Sequence, residues 1–165
     1  MSGTVVRMEA PVRRRGYMTL GFLAGLAGGL AEVAWIALYQ TVTGHDAAIV
    51  ARGVTESVLP AFAMSPAALP LGVAIHMALS VVLGLAIAIM VPRALPRLAG
   101  TVLEPVAVVT ALVAVWAVNF FVVLPVVNPD FVTVVPYAAS LISKTLFGVA
   151  AAFVFWCATP QTATG

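Results

Sequence analysis

Between Ser57 and Pro92 the chain carries no Asp, Glu, Lys or Arg. A segment this long without charge has no means of solvating itself in water, and it marks the chain as one that folds in lipid. A helix crossing the roughly 30 Å hydrocarbon core needs about 20 mostly apolar residues at about 1.5 Å rise each. Four stretches meet that requirement: about 17–42, 69–91, 102–123 and 134–157. The first is interrupted by Glu32 and the last by Lys144. The third is rich in β-branched residues. In lipid, however, an open sheet leaves its edge groups unpaired, and four segments cannot close a barrel. The expected fold is therefore an all-α integral membrane protein, a single membrane domain over residues 1–165.

Composition supports this reading and narrows the function. Of the 165 residues, 62% are hydrophobic and 8% are charged, whereas a soluble domain carries about 25% charged residues. The net charge of +2 is too small for a nucleic-acid footprint, which needs a clustered basic face. The one basic cluster, Arg13-Arg14-Arg15, directly precedes the first span, where a membrane anchor accounts for it. The apolar run behind it is long for a secretory signal, so a retained signal anchor is expected. A single cysteine, Cys157, leaves no intrachain disulfide or multi-cysteine metal cage.

The basic residues also orient the chain. Arg7, Arg13, Arg14 and Arg15 precede the first span, Arg93 and Arg97 lie between the second and third, and Arg52 alone falls on the other side. By the positive-inside rule both termini, including the tail 1–16, are cytoplasmic. The loops at about 43–68 and 124–133 then face outward. The turn Pro92–Gly100 is short, so the second and third helices are expected to be antiparallel neighbours. The longer outer loop holds a short helix: Asp46 can cap it, Val50, Val54 and Val58 recur at helical spacing, and Pro60 lies near its end. Its apolar stripe is expected on the membrane surface, with Arg52 and Glu56 as an i,i+4 pair.

Four polar side chains lie inside the spans: Glu32, His76, Asn119 and Lys144. An ionised residue at the centre of a span costs about 2.5–3.5 kcal/mol on insertion scales, so such residues face protein or water. Taking the outer ends near Gln40, Leu69, Val123 and Pro136, Glu32 and Lys144 both lie about 12 Å deep, His76 about 10 Å and Asn119 about 6 Å. The negative and the positive charge fall at matching depth. Small residues border them: Gly21, Gly25 and Gly29 lead to Glu32; Gly72, Ser80, Gly84 and Ala88 share a stripe with His76; Ser140, Gly148 and Ala152 share one with Lys144. Small residues at four-residue steps let helix backbones approach closely. The polar side chains are thus expected to point into the bundle. One reading is a Glu32–Lys144 ion pair completed by His76 and Asn119 that registers the helices. The others are a polar pocket for a proton, a quinone head group or another small ligand, and exposure to lipid.

No nucleophile–base pair, phosphate loop or zinc motif is present, so no catalytic residue, metal site or cofactor is assigned. A two-histidine haem would need His45 with His76, and copper would need His76 with Met77 and Met64. Both pairings set residues at different heights or on different helix sides.

The second and fourth spans resemble one another. "HMALSVVLGLAIAI" begins at His76 and "KTLFGVAAAFVF" at Lys144, each with a small residue four positions on, while Trp35 and Trp116 loosely relate the first and third spans. This suggests a duplicated helix pair. With "GFLAGLAGGLAE", "IHMALSVVLG", the proline-rich turn after the third span and "LFGVAAAF", the layout resembles the small four-helix bacterial inner-membrane proteins of the YagU-like kind. Lys144 stands where such proteins often carry a histidine. The resemblance implies a bacterial inner membrane and brings no catalytic activity. The leading functional expectation is a non-catalytic accessory subunit of a larger membrane complex, such as a respiratory one, with the lipid bilayer and other membrane subunits as partners. The second is a small transporter or proton-conducting protein using Glu32, His76 and Lys144. The third is a quinone- or haem-associated redox subunit.

The orientation is directly testable. A reporter fused after Gly165 is expected to be active in the cytoplasm and one inserted near Thr55 on the outer side; a cytoplasmic signal from the Thr55 insertion would overturn the four-span topology.

Overall fold

The computed structural model describes residues 11–98 and 101–158, with side chains from Gly16 onward. Arg7, the side chains of Arg13–Arg15, Gly100 and both chain ends lie outside the described residues. Helix α1 is Pro11–Val42, α2 Ala48–Val58, α3 Ala68–Ala94 and α4 Glu104–Val118. A π-helical turn, Asn119–Val123, joins α4 to α5 (Leu124–Val127). A short α6 (Phe131–Val134) precedes α7 (Tyr137–Ala158). No strand occurs among the described residues. Four helices are long and apolar enough to cross a membrane: Gly16–Val42, Ala68–Ala94, Glu104–Val127 and Tyr137–Ala158. The protein is an all-α, multi-pass membrane protein, and α2 is the short helix expected in the loop between the first two spans. The third span extends beyond its expected end near residue 123, through the π turn to Val127. The fourth begins a little later than expected.

Helix α1 is the hub, packing on one side against α3 and on another against α7, and α4 packs on α7. The glycine seam explains the first contact. A Cβ on Gly25 would stand 2.5 Å from the Ser80 carbonyl oxygen, one on Gly21 2.9 Å from the Ala88 Cβ, and one on Gly29 2.8 Å from the Ser80 Oγ. Gly84 returns the fit, lying against the backbone of Gly21 and Gly25. The absent side chains are what let the two backbones touch, and in lipid, where no hydrophobic effect drives helices together, such close packing is a main source of cohesion. Gly28, outside the expected seam, serves the other neighbour: a Cβ there would stand 2.6 Å from the Phe147 ring of α7. Gly148 of α7 meets Val109 of α4 in the same way.

The expectation that the second and third spans are close neighbours is met only weakly, because α3 and α4 have little direct contact and α4 spends its seam on α7. Val108, Leu112, Phe120 and Leu124 are buried and Trp116 is half-buried, at four-residue steps. An α-helix carries such a stripe about 40° around its axis per step. The π turn is wider, with the Leu124 N–H donating to the Asn119 carbonyl, and it brings Phe120 and Leu124 back into register with their neighbours. The apolar core gathers where the bundle closes: Ala24, Ile87, Val91, Val108, Leu112, Phe147, Ala151 and Ala152 form one cluster.

At the other end, two indoles hold the first turn of α7. Trp35 Nε1 donates to the Ala139 carbonyl at 2.9 Å, and Trp116 Nε1 donates to Ser140 Oγ at 2.9 Å. The aromatic group Trp116, Phe120, Phe121 and Tyr137 packs beside the second of these.

The seam can be tested against a neutral position. Gly16 has nothing within 4 Å of an added Cβ, so Gly16→Ala is expected to leave stability unchanged or raise it by up to about 1 kcal/mol through helix propensity. Gly25→Ala forces backbone against backbone and is expected to cost about 1–3 kcal/mol, measured by unfolding of the detergent-solubilised protein in a denaturing-detergent titration.

Candidate functional site: an intramembrane carboxylate under a helical roof

The close approach of α3 and α7 to α1 decides what surrounds Glu32. Its carboxylate is 5% exposed and lies at the meeting of three helices. Lys144 Nζ stands 2.9 Å from Oε1 and 3.0 Å from Oε2, so one ammonium spans both oxygens. Ser143 Oγ donates to Oε1 at 3.4 Å. From the opposite neighbour, His76 Nε2 stands 3.7 Å from Oε2 and 3.4 Å from Ser80 Oγ. Lys144 also lies over the Phe147 ring at 4.7 Å from its centroid, a cation–π contact that helps hold the ammonium in place. No buried side-chain nitrogen or oxygen among the described residues lacks a hydrogen-bond partner.

Three of the four expected residues therefore converge: Glu32, His76 and Lys144. His76 on α3 and Lys144 on α7 approach the carboxylate from the two flanks of α1. Asn119 does not join them. It is exposed on the π turn, because α4 faces α7 through residues 108, 112 and 120 and Asn119 lies one position, about 100°, off that stripe. Ser143 was not singled out in advance. It lies on the buried stripe Ala139, Ser143, Phe147 and Ala151 beside that of Lys144, and the close approach of α1 to α7 lets two consecutive residues reach one carboxylate. His45 hydrogen-bonds Thr43 in the exposed loop at 3.0 Å, and Met64 is fully exposed. The haem and copper pairings are not formed.

Above this cluster is a cavity of about 250 Å³. Glu32, His76 and Ser143 form its polar floor, Val33, Ile36, Gly72 and Val73 are among its walls, and Val50, Ala51 and Val54 of α2 form its roof. The α2 stripe thus differs from its expected place on the membrane surface: Val50 and Val54 turn inward over the cavity, and only Val58 remains exposed.

Local contacts fix the roof. Gly44, at φ +76°, ends α1, with His45 N–H donating to the Gln40 carbonyl at 2.8 Å and Gly44 N–H to Thr41 at 3.2 Å. This six-to-one, five-to-two pair is a Schellman stop, for which glycine is the favoured residue. The N-cap of α2 is Ala47, one residue later than the expected Asp46, whose carboxylate accepts the Ala48 N–H at 2.9 Å and braces the first turn from outside the helix. Ala51 sits directly on Gly72, and the fully buried Thr55 hydroxyl donates to the Ala68 carbonyl at 2.6 Å. On the far side, Asn128 Nδ2 donates to Ser57 Oγ at 3.2 Å and to Glu56 at 3.5 Å, and the Phe131 ring packs on Gly53. Glu56 thus bonds across to the loop between α5 and α6, and the expected Arg52–Glu56 pair does not form.

Compared with protein-family models, curated proteins and solved structures, the chain matches none of them. The geometry of the site itself carries the functional reading.

The ion pair generates a sharp expectation. Removing one member of a buried pair costs about 3–5 kcal/mol because the other charge is stranded, and Glu32→Gln or Lys144→Met is expected to show a loss of that size. The double variant is expected to be markedly milder than the sum. Additive losses in the double-mutant cycle would mean that the two residues do not stabilise one another.

Proposed function

We propose that the protein is a non-catalytic, small-molecule-binding membrane protein of the transporter or carrier class, and that its ligand enters the cavity between α1, α2 and α3. The observation that carries this reading is the cavity floor: an intramembrane carboxylate, an imidazole and a hydroxyl converge beneath apolar walls. A concave apolar site with a few convergent polar groups is the usual form of a ligand pocket, and ionisable residues within spans commonly mark ligand or ion pathways. A structural ion pair alone would need no such space above it. The positive-inside pattern and the YagU-like resemblance together support a bacterial inner membrane with cytoplasmic termini and an outward-facing α2. The accessory-subunit reading is second. Its observation is the exposed face of the third span, with Val106, Val115, Val118, Phe121 and Val122 uncovered, a surface that lipid accepts as readily as a partner helix does.

Access to the cavity is measurable by thiol labelling. In a Cys157→Ser background, Ala37→Cys on the cavity wall is expected to react with a small, uncharged methanethiosulfonate. Leu38→Cys, next to it but on the exposed side of α1, is expected to remain unreactive in the bilayer. An unreactive Ala37→Cys that labels only after denaturation would refute the binding-site reading. Migration of the gently solubilised native protein solely within a larger complex would favour the subunit reading instead.

A further inference from the structure

Resting on that reading, we infer that the cavity selects an uncharged amphiphile: a small, mostly apolar molecule with one hydroxyl or carbonyl group directed at Glu32, His76 and Ser143. Three observations lead there. First, the charges of the floor are already balanced. Lys144 occupies both oxygens of Glu32 at 2.9 and 3.0 Å, and no Lys or Arg lines the cavity. A ligand cation would compete with Lys144 for a carboxylate it already neutralises, and a ligand anion would meet Glu32 without a free counter-charge. Either leaves a net charge in apolar surroundings, where desolvation outweighs the gain unless a partner is supplied.

Second, the floor offers the pair of functions that a neutral head group needs. Ser143 can donate and accept, and the imidazole presents one donor and one acceptor in its neutral form. His76 Nε2 stands 3.7 Å from Glu32 Oε2, too long for a hydrogen bond, and its bond to Ser80 Oγ is long at 3.4 Å, so a ligand group can take the place of that hydroxyl. Third, size and entrance agree. About 250 Å³ lies a little below the 300–1,000 Å³ typical of drug-sized ligands. Leu69 and Val73 line the cavity while remaining partly exposed on α3, which makes the rim apolar. A molecule partitioned in the bilayer reaches such a rim more readily than a hydrated ion does.

The test compares three molecules with the same eight-carbon body. The purified full chain in zwitterionic-lipid nanodiscs is photolabelled with a diazirine-bearing octanol, and the labelled peptides are mapped by mass spectrometry. Competitors are 1-octanol, octylammonium and octanoate at matched concentrations in the membrane. Label is expected on the peptides containing Val33 and Val54. Octanol is expected to displace it at a concentration at least tenfold lower than either charged analogue, and Val54→Trp, which fills the roof, is expected to abolish it. Lys144→Met leaves Glu32 unpaired and is expected to reverse the preference, so that octylammonium displaces the label best. If this variant does not fold, the wild-type ranking decides. Displacement of the wild-type label by octylammonium or octanoate at least as well as by octanol overturns the neutral class while leaving the pocket standing. Label that no competitor displaces, or that persists in Val54→Trp, overturns the binding-site reading itself.

Discussion

A carboxylate held in a span must be compensated locally, because the bilayer offers neither water nor counter-ions. Glu32 imposes that demand on the rest of the molecule. An unpaired charge at its depth would oppose insertion by a few kcal/mol, and the fold answers with Lys144 on one flank and His76 on the other, 2.9 and 3.7 Å away. Those distances require α3 and α7 to lie against α1 at the same height. The pair therefore sets helix order as well as depth, and α1 becomes the element that both α3 and α7 pack against.

Electrostatic attraction alone does not bring helix axes together. Glycine does so here, by removing the atoms that would hold the backbones apart. Gly25 and Gly84 admit α3 to one side of α1, and Gly28 admits Phe147 to the other. The polar cluster and the glycine contacts are two parts of one arrangement: the first chooses the partners, the second lets them approach. Gly72 repeats the device at the end of the bundle that α2 covers, where it lets Ala51 settle on α3 and turns a loop helix into a roof. The space beneath α2 exists because its small and β-branched residues span the gap between α1 and α3 without filling it.

The roof is tied to both sides of the bundle by different chemistry. Thr55 bonds the start of α3, whereas Asn128 reaches Ser57 and Glu56 from the loop before α7. Across the α7 end, the indoles of Trp35 and Trp116 bind adjacent residues of one helical turn. Polar bonds thus hold the end of the bundle where the cavity lies, while the opposite end is held by the apolar cluster around Phe147. A site that admits a ligand is better served by few directional bonds than by a close-packed core, because a close-packed core leaves no room.

Much of this was legible from residue order, and the limits have a physical pattern. Span number and the small residues facing one another follow from hydropathy and four-residue spacing, which are properties of one helix in lipid and need no neighbour to define them. The matching depths of Glu32 and Lys144 follow from counting rise along each helix. Azimuth is different: a helix can rotate about its axis without changing its depth, and only its neighbours stop it. That is why Asn119, at a plausible depth, faces outward, why the stripe Ala139, Ser143, Phe147 and Ala151 is the buried one on α7, and why Gly28 gained a role outside the glycine seam. The α2 stripe was read correctly as apolar and helical, yet whether Val50 and Val54 met lipid or a cavity depended on how closely Ala51 could approach Gly72. The sequence by itself determined a four-span helical membrane protein with one carboxylate and one ammonium at matching depth, since insertion energetics act on each segment separately. Only the tertiary structure decided which faces meet and that a cavity lies above the pair, because both depend on the mutual rotation and closest approach of helices far apart in the chain.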